Sequence, residues 1–314
     1  MDLYLHRKQS LAFRSEATEI LYGGAAGGGK SHLLRVKAVI LALTLPNMQI
    51  YLFRRHRAEL LRNHLDGPNG FRVLLDPLRE SGTCRITASP PAIRFQNGSV
   101  IFLCHCQYER DVMKYQGVEI HALLIDELTH FSETVYRALR ARCRVPAGLR
   151  NTPAAQKLPL ILCGSNPGGP GHNWVKASFI DFAAPMEIRR MPEEEGGMLR
   201  QYIPAKLVDN PSIDAEEYAA RLLGLRSPHL VKAMLEGSWD IVAGGMFDDL
   251  WDPAVHVIPP FDIPRSWRID RSFDWGASKP YSIGFWAESD GSDARLDKGK
   301  PLHNLRGDLV RIAE

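Results

Sequence analysis

The sequence predicts an α/β fold with a mostly parallel sheet. Three observations carry this prediction: a glycine-rich loop between an apolar run and a helical pattern, two later apolar runs that each end in polar residues, and the alternation of strand-like with helical stretches. Strands of parallel sheets are buried on both faces and therefore read as nearly continuous apolar runs. With 314 residues and 45% hydrophobic content, the chain can bury a large core in about two domains.

The glycine-rich loop at residues 24–31 fits the P-loop (Walker A) pattern G-x-x-x-x-G-K-[ST]. Residues 19–22 before it predict a buried strand, and the apolar spacing over 31–45 predicts a helix after it. In this arrangement backbone N–H groups point at phosphate oxygens, Lys30 reaches the β and γ phosphates, and Ser31 can ligate Mg²⁺. A flexible turn is the alternative, but the flanking strand and helix favour a nucleoside triphosphate site. The candidate nucleotide-binding residues are Gly24, Ala25, Ala26, Gly27, Gly28, Gly29, Lys30 and Ser31.

The apolar run at residues 121–125 predicts a buried strand that ends in two carboxylates, Asp126 and Glu127. In open α/β sheets the ligand lies beyond the carboxyl ends of the strands, which places both side chains near the phosphates. Asp126 is then a candidate Mg²⁺ ligand, and Glu127 is a candidate base that orients or deprotonates the attacking water. A carboxylate at a strand end can instead cap the next helix. The P-loop upstream favours the catalytic interpretation, and the pair favours hydrolysis over transfer.

A second apolar run, at residues 158–163, leads into Ser165 and Asn166. We expect this strand to end at the same edge of the sheet as the two carboxylates. The hydroxyl and amide groups could then hydrogen-bond the terminal phosphate or the attacking water. A plain turn is the alternative.

Clustered arginines supply candidates for the positive charge that P-loop enzymes place on the transferred phosphate. Arg140, Arg142 and Arg144 lie on a predicted helix and at its exit, and Arg142 is favoured. Such an arginine can come from the chain itself or from a neighbouring subunit. A solvated basic face is the alternative, both here and for a second basic cluster at residues 54–57.

A β-hairpin is predicted between the P-loop helix and the Asp126 strand. Its strands are the runs 92–96 and 99–105, and they are joined by Asn97-Gly98. This dipeptide is the one best suited to the positive φ angles of a type I′ turn.

The composition excludes few partners but several kinds of site. A net charge of +3 neither demands nor excludes nucleic acid. The five cysteines form no C-x-x-C pair, which predicts reduced thiols, and the residues of Cys104-His105-Cys106 alternate across a predicted strand, so we expect no zinc site. The sequence has no signal-peptide layout and no apolar window that could span a bilayer, which predicts a cytosolic protein without a membrane partner.

The chain changes character after residue 191. An acidic loop, a turn and two predicted helices near 215–223 and 229–236 indicate a small helical subdomain, and a proline-rich stretch then indicates a linker. Beyond it, residues 266–274 and 281–287 predict two paired strands. The predicted organisation is a core at 1–191, a helical subdomain at 192–252, a linker at 253–265 and a C-terminal domain at 266–314.

Taken together, these stretches resemble the large terminase subunit of tailed bacteriophages, the ATPase that pumps DNA into procapsids and cuts it with a second domain. The order and spacing of several motifs, each weak alone, carry the resemblance over nearly the whole chain. The motifs are the P-loop and the segments 6–10, 123–128, 164–169, 207–211, 236–240 and 273–276.

The resemblance implies a RecA-like P-loop NTPase core that uses ATP and Mg²⁺, followed by a lid at 192–252. It also implies that Gln9 contacts the adenine and that Ser165 and Asn166 form a coupling motif between hydrolysis and DNA movement. The implied partners are double-stranded DNA, the portal protein, the small terminase subunit and other copies of this chain in a ring. The place of work would be the host cytoplasm, at the procapsid vertex. The P-loop departs from the family at Ala26 and Gly28, where an arginine or serine is more usual.

By the same resemblance, Asp274 would be the first metal ligand of an RNase H-like nuclease. That nuclease needs further carboxylates from strands well downstream to hold two metal ions. We interpret the acids that follow here as solvated, and we therefore predict no intrinsic nuclease activity. Those acids are Asp290, Asp293, Asp297 and Asp308. The incomplete domain fits a shortened chain, a degraded prophage gene or one half of a split protein.

Two rival functions stay open at this point. A helicase or related DNA translocase shares the P-loop and the Asp126-Glu127 pair, although the segments 166–169 and 273–276 favour a terminase. A non-catalytic prophage remnant that binds ATP or the portal is the other, and the intact Lys30 and Ser31 argue against it.

Overall fold

The structure is a computed structural model. It describes residues 3–145, 147–150, 152–223, 231, 234–240, 253–275, 282–296 and 299–313. Half of the helix predicted at 229–236 lies outside these residues. The chain forms two compact units, Met1–Asp249 and Leu250–Glu314. No helix in the described ranges is both long and apolar enough to cross a bilayer.

The first unit alternates strands with helices. Its strands are β1 (Glu19–Gly24), β2 (Gln49–Arg54), β3 (Cys84–Ala88), β4 (Pro91–Phe95), β5 (Val100–His105), β6 (Ala122–Asp126), β7 (Leu160–Ser165), β8 (Ile188–Arg190) and β9 (Leu199–Ala205). Its α-helices are α1 (Arg7–Arg14), α2 (Lys30–Thr44), α3 (Arg57–Leu60), α4 (Phe71–Leu74), α5 (Asp76–Glu80), α6 (Glu133–Arg140), α7 (His172–Val175) and α8 (Ala215–Leu223). Single π-helical turns lie at Leu61–Leu65 and Lys176–Ile180. Short 3₁₀ segments lie at Glu109–Tyr115, Leu128–His130, Ala147–Leu149, Pro153–Lys157, Glu193–Glu195 and Leu207–Asp209.

One nine-stranded sheet forms the centre of this unit, in the order β3-β4-β5-β2-β6-β7-β1-β9-β8. The six strands from β5 to β9 in this order are parallel, while β3, β4 and β8 add antiparallel pairs at the two edges. The predicted α/β class with a mostly parallel sheet is therefore confirmed.

The core lies in two layers, one on each face of the sheet. Every residue of β1, β6 and β7 is buried, as their apolar runs predict. Side chains alternate between the layers: Ile20 and Tyr22 pack in the cluster that includes residues of α2, and Leu21 packs in the cluster that includes residues of α6. Helices on both faces leave the carboxyl ends of the strands to carry polar residues.

The predicted hairpin is present, but its predicted type I′ turn is wrong. A type I′ turn needs positive φ at both central residues, and only Gly98 has it, with φ of 84°. The Gly98 N–H donates to Phe95 O at 3.1 Å, and the Phe95 N–H donates to Ser99 O at 2.9 Å. These bonds describe a three-residue loop that ends in a glycine bulge, the next commonest hairpin connection.

The predicted start of the helical subdomain at residue 192 also needs correction. Strand β9, at Leu199–Ala205, belongs to the central sheet and pairs in parallel with β1. Its sequence contains Arg200 and Gln201, so it does not read as an apolar run. Arg200 is nevertheless buried, because it forms an ion pair with Glu19 at 3.1 Å. The pairing that explains this strand lies about 180 residues away in sequence.

The described residues of the second unit form helix α9 (Pro253–His256) and five strands. These are β10 (Arg268–Asp274), β11 (Ser282–Glu288), β12 (Ala294–Arg295), β13 (Pro301–Leu302) and β14 (Leu309–Ala313). Strands β10, β11 and β14 form an antiparallel sheet, and β12 pairs with β13. The predicted pair of strands is present as β10 and β11. Trp267, Ala287 and Ala294 form the small core of this unit.

Candidate nucleotide site

The P-loop connects β1 to α2 in a conformation that glycine makes possible. Gly29, which caps the start of α2, has φ of 75° in the left-handed region. A Cβ atom at this position would also lie 2.4 Å from Nε2 of Gln9. The glycine therefore allows both the turn of the loop and the close approach of α1.

Lys30 connects the P-loop to the end of β7. Its Nζ donates to Ala25 O at 3.0 Å and to Oδ1 of Asn166. The side chain is buried, and burial lowers the pKa of Lys30, although the charges of Glu127 and Asp126 oppose that shift. The ammonium group thus bridges the two loops that would enclose a terminal phosphate.

Ser31 and Asp126 meet at the position where P-loop proteins hold magnesium. The Ser31 hydroxyl lies 3.2 and 3.1 Å from the two carboxylate oxygens of Asp126. Asp126 also accepts hydrogen bonds from Arg54 Nη1 at 3.1 Å and from His64 Nε2 at 2.9 Å. A hydroxyl and an ionised carboxylate are the hard oxygen ligands that Mg²⁺ prefers, so these residues fit the ion.

The charge of Asp126 results from opposing effects. Burial alone would raise the pKa of this fully buried carboxyl, but the hydrogen bond and charge of His64, with the charges of Arg54 and Lys30, lower the pKa to about 2. Asp126 is therefore ionised at neutral pH, as a metal ligand needs to be.

Glu127 follows β6 in a strained backbone conformation, and its side chain lines the same cavity. Its φ of 59° lies in the left-handed region, which costs of order 1–3 kcal/mol for a residue other than glycine. Burial raises the pKa of Glu127, and the neighbouring charge of Asp126 raises it further. A carboxylate with a raised pKa is a stronger base toward water than an ordinary one.

Ser165 and Asn166, which the sequence analysis grouped, have different contacts. Asn166 faces the cavity and accepts from Lys30. Ser165 is fully buried, and its hydroxyl accepts from the Thr129 N–H at 3.0 Å and donates to Thr129 Oγ1 at 3.1 Å. Asn166 is thus placed to contact a ligand, whereas Ser165 fixes the loop after β7 against the loop after β6.

Gln9 lies beside the P-loop with its amide group partly occupied. Its Nε2 donates to Gly29 O at 2.8 Å, and its Oε1 accepts from the His6 N–H at 3.0 Å. The side chain lines the cavity. The structure thus places Gln9 against the phosphate loop, and its contact with adenine stays a prediction.

Gln9, Lys30, Ser31, Glu127 and Asn166 line one cavity of about 690 Å³. Asp126 and Ser165 are buried outside this lining, and Asp126 contacts it through Ser31. The walls of the cavity come from α1, the P-loop, α2, the ends of β6 and β7, and the segment 210–218. Two further hydrogen bonds hold the P-loop backbone to the segment that follows β9: Ala26 N–H donates to Met234 O at 2.8 Å, and Asn210 Nδ2 donates to Gly27 O at 2.6 Å. A volume of this size accommodates a nucleotide.

Arg142 does not reach this cavity within its own chain. Its carbonyl accepts from the Ile120 N–H at 3.1 Å, just before β6 begins. The cavity lies at the other end of β6, about 13 Å away along the strand. Arg140 and Arg144 are at the same distant edge, where they pair with Glu19 at 3.0 Å and with Glu119 at 3.6 Å.

Three basic residues of the site were missed as site residues by the sequence analysis: Arg35, Arg54 and His64. Arg54 carried a signal, because it belongs to the basic cluster at residues 54–57. His64 lies in the π-helical turn at Leu61–Leu65, and Arg35 lies inside a helix. Neither position has a sequence pattern that indicates contact with the site.

The cysteines and Asp274 are the other positions that the sequence analysis considered for metal binding. The described residues contain no group of three or more His, Cys, Asp or Glu side chains that could hold a metal ion. All five cysteines are free thiols. Asp274 is exposed at the end of β10, opposite Ser282 of β11.

A family model for the phage terminase large subunit matches residues 15–195. The chain belongs to this family. The match covers the P-loop, both candidate carboxylates and the Asn166 loop, whereas the cavity walls from α1 and from the segment 210–218 lie outside it.

Solved terminase structures share the fold. The large terminase of a thermophilic bacteriophage in complex with ADP is 20% identical with a TM-score of 0.54, and the match covers 92% of this chain and 66% of that one. The same terminase in complex with ATP-γ-S is 18% identical with a TM-score of 0.54, over 95% and 68% of the two chains. The chain thus spans just under two thirds of the thermophilic phage protein in the first match. No curated protein matches it significantly.

Proposed function

We propose that this chain is a Mg²⁺-dependent ATPase that drives double-stranded DNA into a phage procapsid. The observation that carries the proposal is the convergence of Lys30, Ser31, Asp126 and Asn166 on one cavity, through direct contacts between side chains of the P-loop, β6 and the loop after β7. Membership of the terminase family gives this ATPase site its task.

Each residue has a distinct role in the proposed reaction. Ser31 and Asp126 would hold Mg²⁺, which neutralises the charge on the β and γ phosphates. Lys30 binds the phosphate oxygens, and Asn166 positions Lys30 and senses the terminal phosphate. Glu127 orients the attacking water and accepts its proton.

We assign Arg142 to a neighbouring subunit's site. Arg142 lies at the amino ends of the parallel strands, whereas the cavity of its own chain lies at their carboxyl ends. In a ring, the surface at the amino ends of the strands in one subunit would face the open cavity of the next subunit. There Arg142 would neutralise the negative charge on the transferred phosphate in the transition state.

The wider assignments follow from the family. The partners are double-stranded DNA, the portal protein and the small terminase subunit, and the motor assembles in the cytoplasm of the bacterial host. We assign residues 206–252 to the lid, in agreement with the contacts of Asn210 and Met234 on the P-loop. The predicted linker at 253–265 instead belongs to the second unit, where Phe261 and Ile263 pack against the core, so we assign 253–314 to an RNase H-like domain.

Steady-state hydrolysis of Mg²⁺-ATP by the purified chain tests the ATPase, with and without double-stranded DNA. We expect turnover in the wild type and none above background in Lys30→Ala. Lys157→Ala serves as a control, because it removes an exposed lysine that does not line the cavity. Nucleotide binding without turnover under all conditions would contradict an ATPase and favour a non-catalytic remnant.

We also propose that this chain does not cut DNA. Asp274 is exposed, and the described residues contain no group of three or more His, Cys, Asp or Glu side chains that could hold a metal ion with it. Plasmid incubated with the chain and Mg²⁺ or Mn²⁺ should stay supercoiled. Cutting that Asp274→Ala abolishes would overturn this proposal.

A further inference from the structure

We propose that Arg35 binds the terminal phosphate of the nucleotide from within the same chain and thereby favours ATP over ADP. This inference deepens the proposed function and rests on it, because it assumes that the cavity binds a nucleotide.

Arg35 lies on the wall of the cavity, next to the candidate magnesium ligands. It follows Ser31 by one turn of α2, and side chains four positions apart share a helix face. Both residues line the cavity, as does Glu127. The guanidinium is close enough to Asp126 for the charge of that carboxylate to affect its pKa.

The guanidinium group of Arg35 has unused hydrogen-bonding capacity. The side chain is buried, with 5% of the residue exposed, and its Nη1 donates to Asn63 O at 3.2 Å. Its Nε is buried and has no hydrogen-bond partner among the described residues. An arginine presents five N–H donors, so donors beyond the one bound to the Asn63 carbonyl remain for an anion in the cavity.

Among the described residues, no carboxylate takes the place of that anion. Asp126 forms an ion pair with Arg54 at 3.1 Å and a hydrogen bond with His64 at 2.9 Å. Arg35 forms no ion pair with any described residue. Burial lowers the pKa of Arg35 to about 10, and the charge of Asp126 opposes that shift, so the group is still cationic at neutral pH.

The position of Arg35 selects the terminal phosphate over the others. The N-terminus of α2 and Lys30 hold the phosphates that enter the P-loop. Ser31 and Asp126 mark the magnesium position, between the β and γ phosphates. Arg35 lies on the Asp126 side, beyond Ser31, so the nearest phosphate is the last one. A planar guanidinium matches two phosphate oxygens, and ADP lacks the group that it would bind.

A structural alternative has to be separated from this role. The bond from Arg35 to Asn63 O also supports the π-helical turn that carries His64 to Asp126. Through that path, loss of Arg35 would disturb the magnesium site and weaken ATP and ADP binding together. Nucleotide binding in EDTA distinguishes the two, because a direct phosphate contact does not need the metal.

The experiment is calorimetric titration of the full chain with ATP-γ-S and with ADP, in Mg²⁺ and in EDTA. For Arg35→Ala we expect about a 10- to 100-fold loss of ATP-γ-S affinity in both buffers and less than about a 3-fold loss for ADP. Arg62→Ala is the matched control, since it removes an exposed arginine from the same π-helical turn that does not line the cavity. It should change neither affinity.

Each other result counts against the inference. Equal losses for the two nucleotides in Mg²⁺ that vanish in EDTA would assign Arg35 to support of the Asp126 site, and unchanged affinities would exclude any role. If Arg35→Ala does not fold, Arg35→Lys is used, which keeps the charge but not the planar pair of donors. A wild type that binds no nucleotide would overturn the proposed function itself, whereas wild-type binding with unchanged selectivity in the variants overturns only the role of Arg35.

Discussion

Two fully buried carboxylates, Asp126 and Glu19, lie at opposite ends of the strands of the central sheet and have similar partners. Asp126 ends β6 and contacts Arg54 and His64, while Glu19 begins β1 and pairs with Arg140 at 3.0 Å and Arg200 at 3.1 Å. Both clusters combine acids with bases out of water. Only one of them lies in a site that we expect to bind a ligand.

The difference is the space and the free donors around each acid. The Glu19 cluster closes on itself: Tyr136 OH donates to Glu19, Arg140 Nη2 donates to Glu195 O at 2.7 Å, and Arg200 Nη1 donates to Ser178 O at 2.6 Å. The cavity beside it is about 10 Å³, against about 690 Å³ beside Asp126. A closed cluster stabilises the fold, whereas an open one with unused donors can bind an anion.

The largest expected effect separates catalysis at the open cluster from stability. Glu127→Gln should lower ATP turnover by about 10²- to 10⁴-fold, because it removes the proton acceptor, while nucleotide binding is kept. Hydrolysis rates measure the loss of turnover, and nucleotide titrations measure whether binding is kept. Glu133→Gln is the control, since Glu133 is a partly exposed carboxylate that pairs with Arg137 at 2.7 Å and does not line the cavity. This variant should keep most of the wild-type turnover. Unaltered turnover in Glu127→Gln would remove the general-base assignment.

The closed cluster should show the opposite result. Glu19→Gln leaves the buried Arg200 and the partly buried Arg140 without their carboxylate, so the free energy of unfolding should fall by about 3–5 kcal/mol. Urea unfolding measures this change. Glu16→Gln, which alters an exposed carboxylate paired with Lys157 at 2.6 Å, should cost less than about 1 kcal/mol. Comparable losses in the two variants would show that the Glu19 cluster does not stabilise the fold.

The pH dependence of stability tests the Asp126 cluster itself. The folded pKa of Asp126, about 2, lies below its ordinary value, so its contribution is fully present above about pH 4 and is lost as the pH falls through 2. The stability difference between wild type and Asp126→Asn, measured without nucleotide or metal, should narrow by about 1 kcal/mol from about pH 5 to about pH 3. If the stability difference between wild type and Asp126→Asn stays the same over this pH range, the pKa of Asp126 is not lowered by folding. Glu127 has the opposite sign, because its raised pKa makes its contribution grow as the pH falls.

The smallest expected effect concerns communication between the two ends of the strands. Arg142→Ala should leave the nucleotide affinity of a single chain within about 2-fold, because the side chain lies at the amino edge of the sheet. In mixtures with Glu127→Gln subunits, ATPase activity should reappear, since a mixed ring contains sites with an intact Glu127 and an arginine from the neighbour. A large loss of affinity in the isolated variant would place Arg142 in its own site.

The sequence analysis found the parts of the site that obey short-range rules. The P-loop, Asp126 and Asn166 follow or precede apolar runs, so local pattern and the geometry of parallel sheets predict their meeting. Arg35 and His64 come from inside helical turns and reach the site only through packing, which no spacing rule describes. The same limit explains β9, whose polar residues are buried because of a partner far away in sequence.

The neighbours of β1 have a consequence for how the protein is made. This strand precedes the P-loop, yet it pairs with β7 and β9, so Glu19 lies beside Ile161 and Arg200. Such contacts between distant residues form slowly, and the ribosome delivers the N-terminal strand long before its partners. Until residue 205 has emerged, at least one side of a mostly apolar strand stays unpaired and prone to aggregation. The nascent chain should therefore depend on chaperones during synthesis, and its nucleotide site should form among the last features of the first unit.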